Sequence, residues 1–223
     1  DFCLSRGLGD VYKRQGQGVY YVRLNAIGAT SGTELRANET TAGDQQAPSV
    51  AVAAVDGQFV IVWQGPGPLV EGEASVEVFG RRFSGLDATP GSEFKVNSNP
   101  AKDQTLPDVA MDSSGDAVIV WQAEGQQGSG SDIFGRRMDD TGTLLGTDAL
   151  INATTPRPQR SPAVSMNGDG NFLVAWQSQH QDGYSWGIYG HEYDASGATV
   201  VGEFAINERV AGPQTSPGVA VNE

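Results

Sequence analysis

Side chains able to do chemistry are few in this 223-residue chain, and they do not form an obvious set. Its two histidines, His180 and His191, lack a zinc-ligand spacing such as HExxH, and no GxSxG nucleophile turn occurs. Carboxylates are plentiful, and a carboxylate pair is what glycoside hydrolysis uses. Most of the Asp residues, however, stand in turn-like segments, where Asp is favoured for backbone reasons, and no Ser-x-Asp-x-Gly-x-x-Trp box appears. The most individual stretch runs from His180 to Trp186. There Tyr184 and Trp186 could stack on a sugar, with His180 beside them and Gln181 and Asp182 bonding hydroxyls; the plainer and preferred reading is that Trp186 covers a sheet edge. Asn167, Asp169 and Asn171, separated by glycines, have the look of a calcium loop, and Asp112 to Asp116 is a weaker echo. Calcium takes 6–8 oxygen ligands and one short turn supplies about three, so a plain Asn-Gly hairpin turn is preferred. No cofactor is expected, calcium being the one ion these loops could attract.

The elements that must position these residues are repeated. Phe59 to Gln64 reads FVIVWQ and returns as Ala117 to Gln122 and Phe172 to Gln177, with the tryptophans Trp63, Trp121 and Trp176 spaced by 58 and 55 residues. A short Val- and Ile-rich run ending in an aromatic residue, with turn residues before it, reads as a buried strand. Asn38, Asn97, Asn152 and Asn207 recur in step, as do Gln45, Gln104, Gln159 and Gln214, each glutamine three residues before a proline. The asparagines and glutamines are expected to bond backbone groups at turns. Gly80, Gly135 and Gly190, inside strands, suggest a bulge or a close backbone approach. Arg81-Arg82 and Arg136-Arg137 alternate across a strand, so at most one of each pair is expected to face a neighbouring sheet, the rest being solvated or carboxylate-paired. Four strands in about 55 residues without helix predict an all-β fold, a β-propeller of four-stranded antiparallel blades. A row of two-sheet sandwiches would need about 100 residues per domain.

Formal net charge is -13, which argues against nucleic acid and anionic membranes as partners; no apolar run approaches the roughly 20 residues of a membrane span. The stretch from Ser5 to Gln15, SRGLGDVYKRQ, resembles the in-frame translation of a sequencing adapter. Residues 1–15 are therefore set aside as non-native, and with them goes the only cysteine, Cys3. Residues 16–223 read as about three and a half blades of one domain, cut at both ends.

The unit FVVWQS…IFGRRFD…EFxVN…QxxPxVA resembles a tandem repeat of large secreted or surface-attached bacterial proteins, often beside calcium-binding or cadherin-like modules. Gln177 to Gly190, Glu93 to Asn97 and Glu203 to Asn207 follow that pattern closely, while residues 66 to 76 depart from it. The resemblance implies an extracellular or cell-surface protein whose partners are glycans or surface proteins. Because catalysis needs residues that break the repeat, the expected function is a non-enzymatic scaffold or adhesion segment. The alternatives are a carbohydrate-binding propeller and a fragment of a secreted propeller glycoside hydrolase.

Overall fold

The computed structural model describes residues 2–6, 17–24, 27–70, 73–85, 89–99, 102–126, 130–183, 185–209 and 211–222, and among these the regular structure is strand and turn. Four antiparallel sheets follow one another along the chain. Blade 1 holds β1 (Phe2–Arg6), β2 (Val19–Leu24) and β3 (Thr30–Arg36). Blade 2 holds β4 (Gln46–Val52), β5 (Phe59–Val70) and β6 (Glu73–Ser84), with an outer strand in two pieces, β7 (Thr89–Pro90) and β8 (Phe94–Lys95). Blade 3 holds β9 (Gln104–Met111), β10 (Ala117–Glu124), β11 (Ser131–Met138) and β12 (Leu144–Leu150); blade 4 holds β13 (Gln159–Met166), β14 (Phe172–Gln179), β15 (Trp186–Tyr193) and β16 (Thr199–Ala205). The first strands β4, β9 and β13 lie against one another, while β3, β12 and β16 are largely exposed. Sheets meeting at their first strands around an axis are propeller blades, as the repeat predicts.

Strand geometry explains why the central strands are apolar throughout. Successive side chains point to opposite faces, and here each face has a neighbouring sheet. On β10, Ala117, Ile119, Trp121 and Ala123 pack toward blade 2, while Val118 and Val120 pack toward blade 4. Phe59, Ile61 and Trp63 on β5 face blade 1. All three repeat tryptophans are fully buried. The divergent segment after Gln64 lengthens the β5–β6 hairpin, with a register shift between Pro66 and Leu69. β1 falls within the residues set aside as non-native and pairs along β2, occupying an edge that offers unpaired backbone groups to any extended segment.

The repeated polar residues join strands and blades. Each indole Nε1 donates to the glutamine that opens its own blade: Trp63 to Gln45 at 3.0 Å, Trp121 to Gln104 at 2.8 Å and Trp176 to Gln159 at 2.9 Å. The glutamine after each tryptophan reaches the next blade instead. Gln64, Gln122 and Gln177 accept from the backbone N–H of Leu106, Ser161 and Ser216 at 2.8, 3.4 and 3.1 Å. Those three residues precede the repeat prolines and have φ of 52°, 52° and 58°, a left-handed conformation that costs a non-glycine residue about 1–3 kcal/mol. Each anchor asparagine accepts through Oδ1 from the strand next to the outermost one of its blade, from the backbone N–H of Val19, Val78, Ile133 and Ile188 at 2.9, 2.9, 2.7 and 2.6 Å. Gly135 and Gly190 mark both a register shift and a close approach: a Cβ at Gly80, Gly135 or Gly190 would come within 2.8, 3.1 or 3.0 Å of Phe94, Ile151 or Ile206.

The arginine expectation holds for Arg81, which pairs with the Glu39 carboxylate at 2.7 Å, and is corrected as to the faces. Alternation does put the two arginines of a pair on opposite faces, but both faces carry a neighbour. Arg81 and Arg136 donate to the carbonyls of Ala37 and Val96 in the preceding blade at 3.0 and 2.8 Å. Arg82 donates to Gly115 and Asp139 carbonyls at 3.0 and 3.1 Å, and Arg137 to the Ala195 carbonyl at 2.6 Å, all in the following blade. His191 takes the arginine's place in blade 4 and reaches the Ile151 carbonyl at 3.0 Å. Acidic residues of the outer strands also cross blades. Glu93 accepts from the backbone of Glu39 at 2.7 Å, Asp148 from Ser98 at 2.9 Å and Glu203 from Ala153 at 2.7 Å. Part of the chain's acidity is thus structural.

In blades 3 and 4 the turn between the third and fourth strands is held by one aspartate. Asp139 Oδ1 accepts from Thr141 Oγ1 at 2.6 Å and Thr143 N at 2.8 Å; Asp194 Oδ1 accepts from Ser196 Oγ at 2.6 Å and Ala198 N at 3.0 Å. The Thr141 and Ser196 hydroxyls, then those backbone donors, hold both carboxyls below the ordinary carboxylate range. A folded-state value below the unfolded one means a stabilising contribution that is present above the ordinary carboxylate pKa. It is lost as pH falls through the depressed values. An Asp139→Asn/Asp194→Asn variant is expected to lose less stability than the native chain between neutral pH and about pH 3, measured by urea melts across that range. Parallel loss in the two proteins would refute the assignment.

Candidate functional site at the blade axis

The inner strands begin alike, Gln-x-x-Pro, and the residue after the proline is Ser49, Asp108, Ala163 and Gly218 in the successive copies. Asp108 is the only carboxylate on β4, β9 and β13. It is half-buried and tied to both neighbouring blades: Oδ1 accepts from Ser49 Oγ at 2.6 Å, and Oδ2 accepts from Val164 N at 2.9 Å on the inner edge of β13. A carboxylate has about four acceptor positions, so two remain for a ligand at the axis. No motif or ligand spacing marks this residue in the sequence. Its signal was a departure from repeat symmetry at a position otherwise small and uncharged.

The loop from His180 to Trp186 folds largely onto its own blade. His180 is exposed, with φ of 55°, and its backbone N–H donates to Ser185 at 2.7 Å. Gln181 is engaged at both ends of its amide, donating to Glu203 at 2.6 Å and accepting from Ser178 at 2.7 Å. Asp182 turns inward to Gly187, whose missing Cβ would stand 3.0 Å from its Oδ2 and 3.2 Å from Asn207 Oδ1. In blades 2 and 3 the equivalent positions carry the buried acids Glu77 and Asp132, which accept from Asn97 and Asn152. Blade 4 therefore supplies from a loop the acid that the others carry on the strand. Trp186 is half-buried beneath the Arg160 guanidinium, 5.6 Å from its ring centre. Tyr184 lies outside the described residues.

Asn167, Asp169 and Asn171 share one turn. Asn167 Oδ1 accepts from Asn171 N at 2.9 Å, Asn171 Oδ1 accepts from Ala195 N at 3.2 Å, and Asp169 is exposed. Asp112 Oδ1 likewise gathers its own turn, accepting from Ser114, Gly115 and Asp116 N–H groups at 2.9, 2.8 and 3.0 Å. No helix among the described residues is long and apolar enough to cross a membrane.

No protein-family model and no curated protein matches the chain. Solved structures do match. The native arabinanase Arb43A of Bacillus subtilis superposes with a TM-score of 0.51 at 13% identity, over 98% of this chain and 81% of its own. The endo-arabinase of Bacteroides thetaiotaomicron gives 0.48 at 14% identity, over 88% of this chain and 74% of its own. A thermostable family-43 glycoside hydrolase gives 0.49 at 11%, with 87% of this chain matched but only 66% of its own length, just under two thirds. The likeness is one of fold. It corrects the expectation of a non-enzymatic scaffold or adhesion segment, because the Arb43A structure that this chain resembles is an arabinanase. Symmetric blades do not argue against catalysis, since they surround an axis where one unrepeated residue such as Asp108 suffices to break the symmetry.

Proposed function

We propose that this chain is part of a carbohydrate-active propeller, a glycoside hydrolase that takes a polysaccharide at the axial mouth. The observation that carries the reading is Asp108, an unrepeated carboxylate fixed from both sides on the innermost strand. Glycoside hydrolysis uses two carboxylates flanking the scissile bond, and Asp108 supplies one of them. The arabinanases of the same fold make arabinose-containing glycans the first substrates to try. A polymer of that kind is met outside the cell, so an exported or surface location belongs to the proposal.

The test is release of reducing sugar from arabinan and of chromophore from an arabinofuranoside by the full chain and its Asp108→Asn variant. Wild-type turnover is expected, falling about 10²–10⁴-fold in the variant, the usual worth of a positioned acid or base, while circular dichroism stays unchanged. Equal turnover by the variant would remove Asp108 from the chemistry. Oligosaccharide binding without any turnover would overturn hydrolysis.

A further inference from the structure

Two of the wedges between adjacent blades are filled by an aromatic ring of the protein itself. Between blades 1 and 2 that ring is Tyr21, which stands where the other blades have the strand glycines Gly80, Gly135 and Gly190. Tyr21 is buried against Phe59 and Phe83 of blade 2, with ring centres 5.6 and 5.0 Å away. Between blades 2 and 3 the ring is Phe94, opposite Gly80; a Cβ at Gly80 would stand 2.8 Å from it. On blade 4, Phe204 covers Gly190 in the same way, at 3.1 Å.

Blade 3 departs from this pattern. The residue opposite Gly135 is Ala149, so the wedge between blades 3 and 4 receives a ring from neither position. Ile151 reaches over Gly135, to 3.1 Å from a Cβ there, but blade 4 carries Ile206 in that place together with Phe204. The isoleucine therefore does not stand in for the ring. A recess of about 390 Å³ is left, lined by Gly135, Leu145 and Ala149 on one side and by Phe172, Tyr193 and His191 on the other. Its second wall is the counterpart of the one that receives Tyr21. Phe172 and Tyr193 occupy the repeat positions of Phe59 and Phe83. They stack with ring centres 4.7 Å apart, as Phe59 and Phe83 do at 4.4 Å, and His191 continues the stack 4.3 Å beyond Tyr193. Arg137, which also lines the recess, is engaged by the Ser196 and Ala195 carbonyls.

We propose that this recess binds a small uncharged aromatic compound, whose ring takes the place that Tyr21 and Phe94 fill in the preceding wedges. The aromatic wall favours a flat ring through offset and edge contacts, and the volume holds a ring with a few substituents. Apolar space of this kind, lined by Leu, Ile and Phe, takes up benzene-sized molecules. The site is independent of the axial reading.

Calorimetric titration of the full chain with p-cresol, which is the tyrosine side chain as a free molecule, and with cyclohexanol tests the proposal. p-Cresol is expected to bind with millimolar affinity or better, and cyclohexanol about tenfold more weakly. Ala149→Phe, which restores the ring that blades 2 and 4 carry, is expected to weaken p-cresol binding about tenfold or more. Ala149→Met fills the same place with a flexible chain and is expected to weaken binding in the same direction, so the test stands even if the phenyl variant loses stability. Failure of p-cresol to bind, equal binding of cyclohexanol, or indifference to both substitutions would each overturn it.

Discussion

Trp121→Ala is expected to destabilise the chain by about 3–5 kcal/mol, lowering the melting temperature by roughly 10 °C. Trp121 has no exposed surface and packs in the core shared by blades 2 and 3 with Val60, Val62, Val109 and Ile119. Its removal leaves a cavity that rigid strands on both sides cannot close. It also takes away the indole donor 2.8 Å from Gln104 Oε1, and Gln104 is itself fully buried. Trp121→Phe separates the two effects, because it keeps most of the volume and loses only the donor. Its cost should be about 1–3 kcal/mol, the penalty of an acceptor left unsatisfied, and Gln104→Met in the same chain should recover part of it. A loss below about 1 kcal/mol for Trp121→Ala in urea unfolding would mean that the blades do not share this core.

Lys95→Met should rank next, at about 3 kcal/mol. Glu77 is fully buried, and Lys95 Nζ, with its side chain 31% exposed, stands 3.2 Å from Glu77 Oε1. Ser75 Oγ at 3.2 Å and Asn97 Nδ2 also donate to the Glu77 carboxylate. Breaking a buried pair from one side strands the other charge and costs about 3–5 kcal/mol; the retained donors place this case at the low end. Replacing both partners removes the stranded charge, so Glu77→Gln/Lys95→Met should lie within about 1 kcal/mol of the native chain. If the single variant were no less stable than the double in denaturant melts, the ion pair would have no part in holding blade 2.

Much of the architecture was legible because its cause is local. The run FVIVWQ announces a strand buried on both faces, since Val60 and Val62 must find one neighbour while Ile61 and Trp63 find another. Its recurrence at near-constant spacing requires identical sheets stacked side by side. The anchor asparagines and glutamines could be read as backbone partners, because a short amide in a turn has few other uses.

What could not be read was which groups meet across blades. Gln64 bonds Leu106, Arg82 bonds Asp139, and Asp108 bonds both Ser49 and Val164, partners 42 to 59 residues apart in the chain. Such pairs follow from the angle and stagger between sheets, which no spacing along the chain encodes. Period and side-chain alternation are properties of one strand and its neighbours in sequence, so they dictated the propeller. The axial cluster of Asp108 with Ser49 and Val164 exists only once the blades are stacked, because it is assembled from residues of separate repeats.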